Sequence, residues 1–517
     1  MGGTVKKQGL AMSAYISTIG SVATKTLGMI STVYISNRIG AEGVGLYQLA
    51  MTIYMMAYTI ASAGMSTSVS KLVAEELGKG NSKGVKRIMK VFFLISIAAS
   101  VTISGLVFIN APFIANHVIK DSRTILGLRI LSLSVPFMTV SSCLKGYFYA
   151  VKKMIKPVSS DVFEQIVKVL MVIVFLQRWG NGSLAHACGA ISLAMTLGEV
   201  FSFSYMVFLY TTDPDRRHNR GISTSRGIDI FIQIIKILLP ITLTAYLSSI
   251  ITLLQNVLIP LGFRKSGLTQ MESMSMYGMI EGMVLPILFF PVALLTASST
   301  VLTPEIARAK ARNMSERIES LSGRTIHLIM VLAMIVVSVF GNFGEELGLL
   351  IYNNRQVGHL LQFFVFITPF MYIEIVIDGI LKGLGEQNSC LIYRIIEAIL
   401  SVVLIYYLLP IKGVIGFIGL NIGINILTAT LKMRRLIKVT TIKINVSKWF
   451  FYPALAATAA GMTAKVIVIY LLPQHSSLLT QVTLGVAIAL NIYYIALHLL
   501  ENLTAQDLAG LDIRRKV

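Results

Sequence analysis

Charged side chains recur inside long apolar stretches of this sequence, and they are the residues that could do chemistry. They are Lys25, Asp161, Glu164, Lys168, Glu199, Lys236, Glu281, Glu374, Asp378, Arg394, Glu397 and Lys465. A charge in the middle of an apolar membrane helix costs about 2.5–3.5 kcal/mol on insertion scales, so it usually faces a partner or a water-filled cavity. The pattern therefore predicts binding of an ion or a charged group within a membrane.

Four of these residues are the first candidates for a cavity. Lys25 lies midway along the first apolar stretch, and Glu281 interrupts another. Glu374 and Asp378 are four residues apart, so both carboxylates fall on one helix face and require a cation or a buried lysine nearby. We expect these four side chains to line a cavity, and structural ion pairing is the alternative.

Other charges have a simpler interpretation. Asp161, Lys168 and Lys236 stand near the ends of apolar stretches, from which they could reach the lipid headgroups. Glu164 and Lys168 are four residues apart and could pair with each other. Arg394 and Glu397 are three residues apart and could do the same.

The composition identifies an integral membrane protein. Of 517 residues 55% are hydrophobic and 13% charged, against about 25% charged in soluble domains, which excludes a soluble enzyme, a disordered chain and a nucleic-acid-binding domain. The net charge of +21 fits Lys and Arg crowding into cytoplasmic loops. Three separated cysteines and scattered histidines predict neither a disulfide framework nor a metal site.

Apolar stretches long enough to cross about 30 Å of hydrocarbon predict fourteen transmembrane helices. They are 10–36, 46–70, 88–110, 124–150, 160–178, 184–210, 229–259, 272–302, 323–342, 357–381, 390–409, 412–432, 449–472 and 477–499. The first is too long for a cleavable signal, so we interpret it as a retained span. Because backbone polar groups cannot face lipid unpaired, the fold class is all-α and polytopic.

The distribution of Lys and Arg gives an orientation. With the N-terminus in the cytoplasm, 31 basic residues lie in inside segments, 8 in outside loops and 6 within spans, which together are the 45 of the chain. A missed or false span would invert every later loop and remove this bias. The sequence therefore predicts a multi-pass protein of the cytoplasmic membrane with both termini inside.

The chain also repeats itself. Pro136-Phe137-Met138 followed by Leu144-Lys145-Gly146 matches Pro369-Phe370-Met371 followed by Leu381-Lys382-Gly383, with the second element displaced by four residues. Lys145 and Lys382, the lysines of this element, join the candidate cavity residues.

The repeat predicts two pseudo-symmetric six-helix lobes, 1–220 and 221–440, and a segment 441–517 with two further helices. Copies of six spans insert the same way up, so an axis along the membrane normal would relate them. In transporters with such repeats the substrate site lies between the halves.

Other motifs carry little chemistry. There is no phosphate-binding G-x-x-x-x-G-K-[ST] loop, which argues against ATP hydrolysis. Asp213-Pro214-Asp215 resembles the metal-binding pair of sugar-nucleotide transferases but stands alone in a basic linker. Gly278, Gly282, Pro286 and Pro291 predict that span 8 bends or unwinds.

The chain resembles the multidrug/oligosaccharidyl-lipid/polysaccharide exporter superfamily, and within it the stage V sporulation B, polysaccharide-biosynthesis and lipid II flippase proteins. The residues that carry the resemblance are 37–47 after span 1, 66–77 at the end of span 2, 144–150, and the partner stretch around Lys382. It implies two lobes facing each other across a cavity. It also implies that Lys25 takes the place of an arginine on the first helix, where cationic side chains hold a pyrophosphate.

The resemblance further implies a flippase, not an enzyme, that moves a lipid-linked sugar pyrophosphate across the membrane during spore cortex formation. Its partners would be that substrate and membrane lipids, with no nucleic acid. A cation-coupled multidrug exporter is the main alternative, in which Glu281 or the pair Glu374 and Asp378 would bind H⁺ or Na⁺. A membrane-embedded glycosyltransferase and a scaffold for cell-wall proteins are further alternatives.

Overall fold

In a computed structural model the described residues are 4–180, 182–214, 227–440, 442, 444–471 and 476–500, and they contain helices and no strand. The α-helices are α1 (Thr4–Ser62), α2 (Met65–Gly78), α3 (Ser82–Phe113), α4 (Ile125–Ser132), α5 (Val135–Ala150), α6 (Ile155–Trp179), α7 (Leu184–Thr211), α8 (Gly227–Lys265), α9 (Gln270–Tyr277), α10 (Leu285–Ala311), α11 (Ser315–Tyr352), α12 (Arg355–Phe364), α13 (Thr368–Gly383), α14 (Gln387–Val439), α15 (Tyr452–Leu471) and α16 (Leu478–Leu499). Packing divides the chain into two compact units, unit 1 (Met1–Gly282) and unit 2 (Met283–Val517). The predicted domain boundaries at 220 and 440 stay predictions.

The helices account for the fourteen predicted spans. Ten helical stretches of the described chain are long and apolar enough to cross a membrane, and α4 with α5 forms an eleventh candidate bent by 42°. Two of the ten, Ile16–Gly78 and Gln387–Val439, each contain two predicted spans. Helix α6 is the remaining span. The protein is therefore an all-α polytopic membrane protein.

The two longest helices are broken by glycine. Helix α1 has 59 residues, which at 1.5 Å per residue is about 88 Å and far exceeds the hydrocarbon thickness. It breaks at Gly40 (φ 68°, ψ 179°), and α14 breaks at Gly413 (φ 55°, ψ −136°). Glycine adopts positive φ without a Cβ clash, so each position separates two spans that the sequence predicts there.

The backbone confirms the internal repeat. Left-handed residues recur 233 positions apart in three pairs, Gly80 and Asn313, Lys120 and Asn353, and Lys152 and Gly385. Helix α13 begins and ends 233 residues after α5. This register aligns Lys145 with Asp378, which lies one helical turn before Lys382. The offset explains the four-residue displacement in the sequence match.

Span 8 departs from a regular α-helix, as its glycines and prolines predict. Residues Gly278–Val284 form a π-helical segment between α9 and α10. A Cβ on Gly278 would overlap the carbonyl oxygen of Ala41 on α1, and a Cβ on Gly282 would overlap Val44. The small residues therefore allow α1 and this segment to pack backbone to backbone within unit 1.

Candidate functional site

The first candidate site is a cluster of charges on α6 and α7 of unit 1. The Nζ of Lys168 donates hydrogen bonds to Glu164 at 2.6 Å and to Glu199 at 2.7 Å. Lys168 is 8% exposed and Glu199 3%. A Cβ on Gly198 would overlap the Cγ of Lys168, so this glycine makes room for the lysine stem.

This cluster confirms one prediction and corrects another. Glu164 and Lys168 pair as their spacing indicates. The prediction that Lys168 reaches the headgroups is wrong, because a buried ammonium finds a stronger partner in Glu199, 31 residues away on the neighbouring helix. Removing a buried charge from water is unfavourable unless an opposite charge and hydrogen bonds compensate it, as they do here.

A cavity of about 270 Å³ lies beside this cluster in unit 1. The Nζ of Lys145 on α5 donates to Asp161 on α6 at 2.6 Å at the cavity wall. The lining residues are Thr24, Tyr58, Met138, Ser141, Ser142, Lys145, Asp161, Glu164, Gln165 and Glu199. Nine of these ten side chains are polar or carry a polar end, which is unusual inside a lobe of apolar helices.

Unit 2 contains a second buried cluster. The Nζ of Lys432 on α14 donates to Glu374 at 2.7 Å and to Asp378 at 3.3 Å, both on α13. Lys382 forms an ion pair with Asp378 at 2.5 Å, and the hydroxyl of Thr428 donates to Glu374 at 3.1 Å. Glu374 and Asp378 thus have the buried lysine that their spacing requires.

The structure distributes the six predicted site residues unevenly. Glu374, Asp378 and Lys382 meet in the unit 2 cluster, while Lys145 lines the unit 1 cavity. Lys25 lies on α1 with an exposed side chain, next in sequence to the cavity residue Thr24.

Glu281 lies in the π-helical segment and belongs to neither cluster. In the part of the chain that the structure describes, it makes no hydrogen bond or ion pair. A π-helical turn is a frequent feature of functional sites, because the extra residue redirects side chains.

Several residues of these sites are missed by sequence reasoning. Lys432 is only 2% exposed, although the sequence assigns it to a basic loop at a span end. The predicted pair Arg394 and Glu397 forms no close ion pair among the described residues; the Arg394 side chain is exposed and that of Glu397 is half-buried. Ser141 and Ser142 have no signal in a single sequence.

A further ionic group joins three segments of unit 1 at helix ends. The guanidinium of Arg123 donates to Glu42 at 2.7 Å and to Asp121 at 2.7 Å, and the Gln270 amide donates to Asp121 at 3.2 Å. Burial alone would raise the pKa of the Asp121 carboxyl, but the hydrogen bonds from Arg123 and Gln270 hold that pKa below its usual value.

Comparison with known proteins identifies the class. A family model described as polysaccharide biosynthesis protein matches residues 10–308, which is more than half of the chain, and a MatE model matches 272–407. The chain belongs to the polysaccharide biosynthesis protein family, within the multidrug/oligosaccharidyl-lipid/polysaccharide exporter superfamily.

Individual relatives have low sequence identity to this chain. The chain is 24% identical to stage V sporulation protein B of Bacillus subtilis (strain 168), with 86% of each chain covered. It is 20% identical to the lipid II flippase MurJ of the same organism, with 76% of each covered. A solved structure of a lipid II flippase MurJ in an inward closed conformation shares the fold, with a TM-score of 0.66 and 14% identity over 94% of this chain and all of that one.

Proposed function

We propose that this protein is a flippase that moves a lipid-linked cell-wall precursor across the cytoplasmic membrane by alternating access, in spore cortex synthesis. The observation that carries the proposal is family membership over 10–308, combined with similarity to stage V sporulation protein B over most of both chains. A sugar pyrophosphate headgroup cannot cross hydrocarbon unaided, because its charges and hydroxyl groups would lose their hydration. Polar groups inside the lobes support a hydrated route for the headgroup while the lipid tail stays in the membrane.

The proposed anchor for the pyrophosphate is Lys25. Lys25 stands where the family resemblance implies a cationic side chain on the first helix. We propose Glu281 as the residue that binds a coupling cation, H⁺ or Na⁺.

Reconstituted vesicles test the flippase directly. Fluorescent lipid II is placed in both leaflets, and its accessibility to an external quencher is followed with and without a cation gradient. We expect protein-dependent equilibration, slowed about tenfold or more by Lys25→Ala, since a charge-assisted hydrogen bond contributes about 1.5–3 kcal/mol. Lys79→Ala is the matched control, because Lys79 is exposed and its ion pair is with nearby Glu76. Absence of lipid movement by folded protein under every gradient would refute the proposal.

A cation-coupled multidrug exporter is the second candidate function. The MatE match over 272–407 favours it, as does the fold of an inward-facing multidrug resistance transporter, with a TM-score of 0.66 and 15% identity over 82% of this chain. The same vesicles can be loaded with a fluorescent amphipathic cation. Gradient-driven export of that cation, without lipid movement, would replace the flippase by this function.

The proposed orientation places both termini in the cytoplasm. After Cys143, Cys188 and Cys390 are replaced, single cysteines at Ser266, in a predicted outside loop, and at Ser315, in a predicted inside loop, can be labelled with an impermeant thiol reagent on intact cells. We expect labelling at position 266 only. Labelling at position 315 alone would invert the topology.

A further inference from the structure

The wall of the unit 1 cavity contains a buried hydroxyl that has no partner among the described residues. Ser141 is 3% exposed and lines the cavity, and its Oγ makes no hydrogen bond within the described part of the chain. Leaving a buried hydroxyl unpaired costs about 1–3 kcal/mol, so such groups are rare without a ligand or a functional reason. Because this Oγ is itself shielded, a polar molecule in the cavity would satisfy it after rotation of the Ser141 side chain about χ1.

The charges around the cavity determine which molecule that is. Three carboxylates, Asp161, Glu164 and Glu199, face two ammonium groups, Lys145 and Lys168, so negative charge exceeds positive by one. Both ammonium groups are already bound to carboxylates at 2.6–2.7 Å. What the cavity offers a ligand is therefore mainly acceptor oxygens and hydroxyl groups, which bind donors and repel phosphate.

The second copy of the repeat shows which residues open the cavity. At the 233-residue register Ser141 corresponds to Glu374 and Ser142 to Ile375. In unit 2 the larger Glu374 side chain extends to the buried Lys432 at 2.7 Å. At the positions of the two serines, the second copy thus has larger side chains, one of which forms an ion pair.

We propose that this cavity binds a hydroxyl- or ammonium-bearing group of sugar size, and that it does not bind phosphate. The inference rests on the proposed flippase function, in which the group is the sugar part of the headgroup and the pyrophosphate binds elsewhere. A volume of about 270 Å³ is just below the range of about 300–1,000 Å³ for small-molecule sites, which suits one sugar ring rather than a drug-sized molecule.

Saturation-transfer NMR on the full chain in nanodiscs tests the inference without any transport. The probes are N-acetylglucosamine, which is neutral, and glucosamine, which carries an ammonium group. Inorganic pyrophosphate and tetraphenylphosphonium, a cation without hydrogen-bond donors, are the competitors. We expect transfer to at least one sugar and displacement by neither competitor. The sugar that gives the stronger transfer shows whether hydroxyl or ammonium donors dominate.

Three variants locate the binding. Ser142→Ile introduces the residue of the second copy and should abolish transfer by filling the cavity. Ser141→Ala should weaken binding about two- to tenfold by removing the unpaired hydroxyl, without adding volume that could disturb folding. Ser204→Ile makes the same chemical change on the exposed face of α7 and should leave binding unchanged. Thermal unfolding of each variant checks that it is folded. If Ser142→Ile does not fold, the result for Ser141→Ala tests the inference.

Each other result has a defined meaning. Unchanged transfer in the folded cavity variants, or displacement of the sugar by pyrophosphate or tetraphenylphosphonium, would overturn the inference. No transfer to either sugar, in protein that still flips fluorescent lipid II, would overturn it and leave the flippase standing. If Ser142→Ile abolishes sugar binding but the wild-type protein moves no lipid, the sugar site in the cavity is supported and the proposed flippase function is refuted.

Discussion

Replacing Lys432 with methionine removes the ammonium group between two carboxylates of unit 2 while keeping most of the side-chain volume. Lys432 is 2% exposed, and its Nζ lies 2.7 Å from Glu374 and 3.3 Å from Asp378. The variant leaves Glu374 without an ion-pair partner among the described residues, whereas Asp378 keeps Lys382. One carboxylate is therefore uncompensated, and breaking a buried pair in this way costs about 3–5 kcal/mol.

The same helix provides a matched control. Arg435 lies three residues further along α14 and pairs with Glu386 at 2.7 Å, but both side chains are 23–30% exposed. Exposed pairs contribute about 0.2–1 kcal/mol, so Arg435→Met should have a small effect. The two variants differ mainly in burial, which is the quantity under test.

Thermal unfolding of the purified protein in detergent measures both variants. For a unit of about this size each kcal/mol shifts the midpoint by roughly 2–4 °C, so Lys432→Met should lower it on the order of 10 °C and Arg435→Met by less than about 4 °C. Adding Glu374→Gln to Lys432→Met should recover part of the loss, because the uncompensated charge is then gone. Equal shifts for the two single variants, or no recovery in the double variant, would refute the reasoning.

Three further predictions follow from unit 1. Glu199→Gln should destabilise the protein by about 1–3 kcal/mol, because Lys168 then keeps one carboxylate; an unchanged denaturation midpoint would contradict this. The pKa of Asp121 is lowered in the folded protein, so this residue contributes stability that is complete above its ordinary pKa of about 3.9 and is lost as pH falls through the lowered value. Below pH 4 the free energy of unfolding of Asp121→Asn should therefore depend less on pH than that of the wild type. Parallel pH profiles for the two proteins would contradict this. Gly278→Ala should destabilise by about 1–3 kcal/mol through overlap with α1, whereas Gly28→Ala, with open space at its Cβ, should be neutral or stabilising, as a thermal melt of each would show.

Much of the helical architecture was predictable because it follows from the bilayer. Hydrocarbon thickness fixes the length of each span, and the backbone within it must be helical to pair its polar groups. The long helices α1 and α14 are therefore each predicted as two spans, and each breaks at a glycine, Gly40 or Gly413, near the predicted boundary. The pairing of Glu164 with Lys168 was predictable because it depends only on spacing along one helix.

The tertiary partners were not predictable in the same way. Lys432 looks like a loop residue because positive charge follows it, and only the packing of α14 on α13 shows that it is buried. Glu199 lies 31 residues from Lys168, and periodicity gives no information about which helices are neighbours. Ser141 and Ser142 become visible only as the small residues lining a cavity.

The 233-residue register joins these observations. It aligns Lys145 with Asp378, Asp161 with Arg394 and Glu199 with Lys432, so three positions within the predicted spans carry opposite charges in the two copies. Each unit nevertheless retains a buried lysine held by two carboxylates, Lys168 in one and Lys432 in the other. A duplicated helix set can exchange the sign at a position only if the partner changes as well, because an uncompensated buried charge is too unfavourable. What the copies preserve is therefore a buried lysine held by two carboxylates, and this leaves the surrounding small residues able to diverge, toward an ion pair in unit 2 and toward an open polar cavity in unit 1.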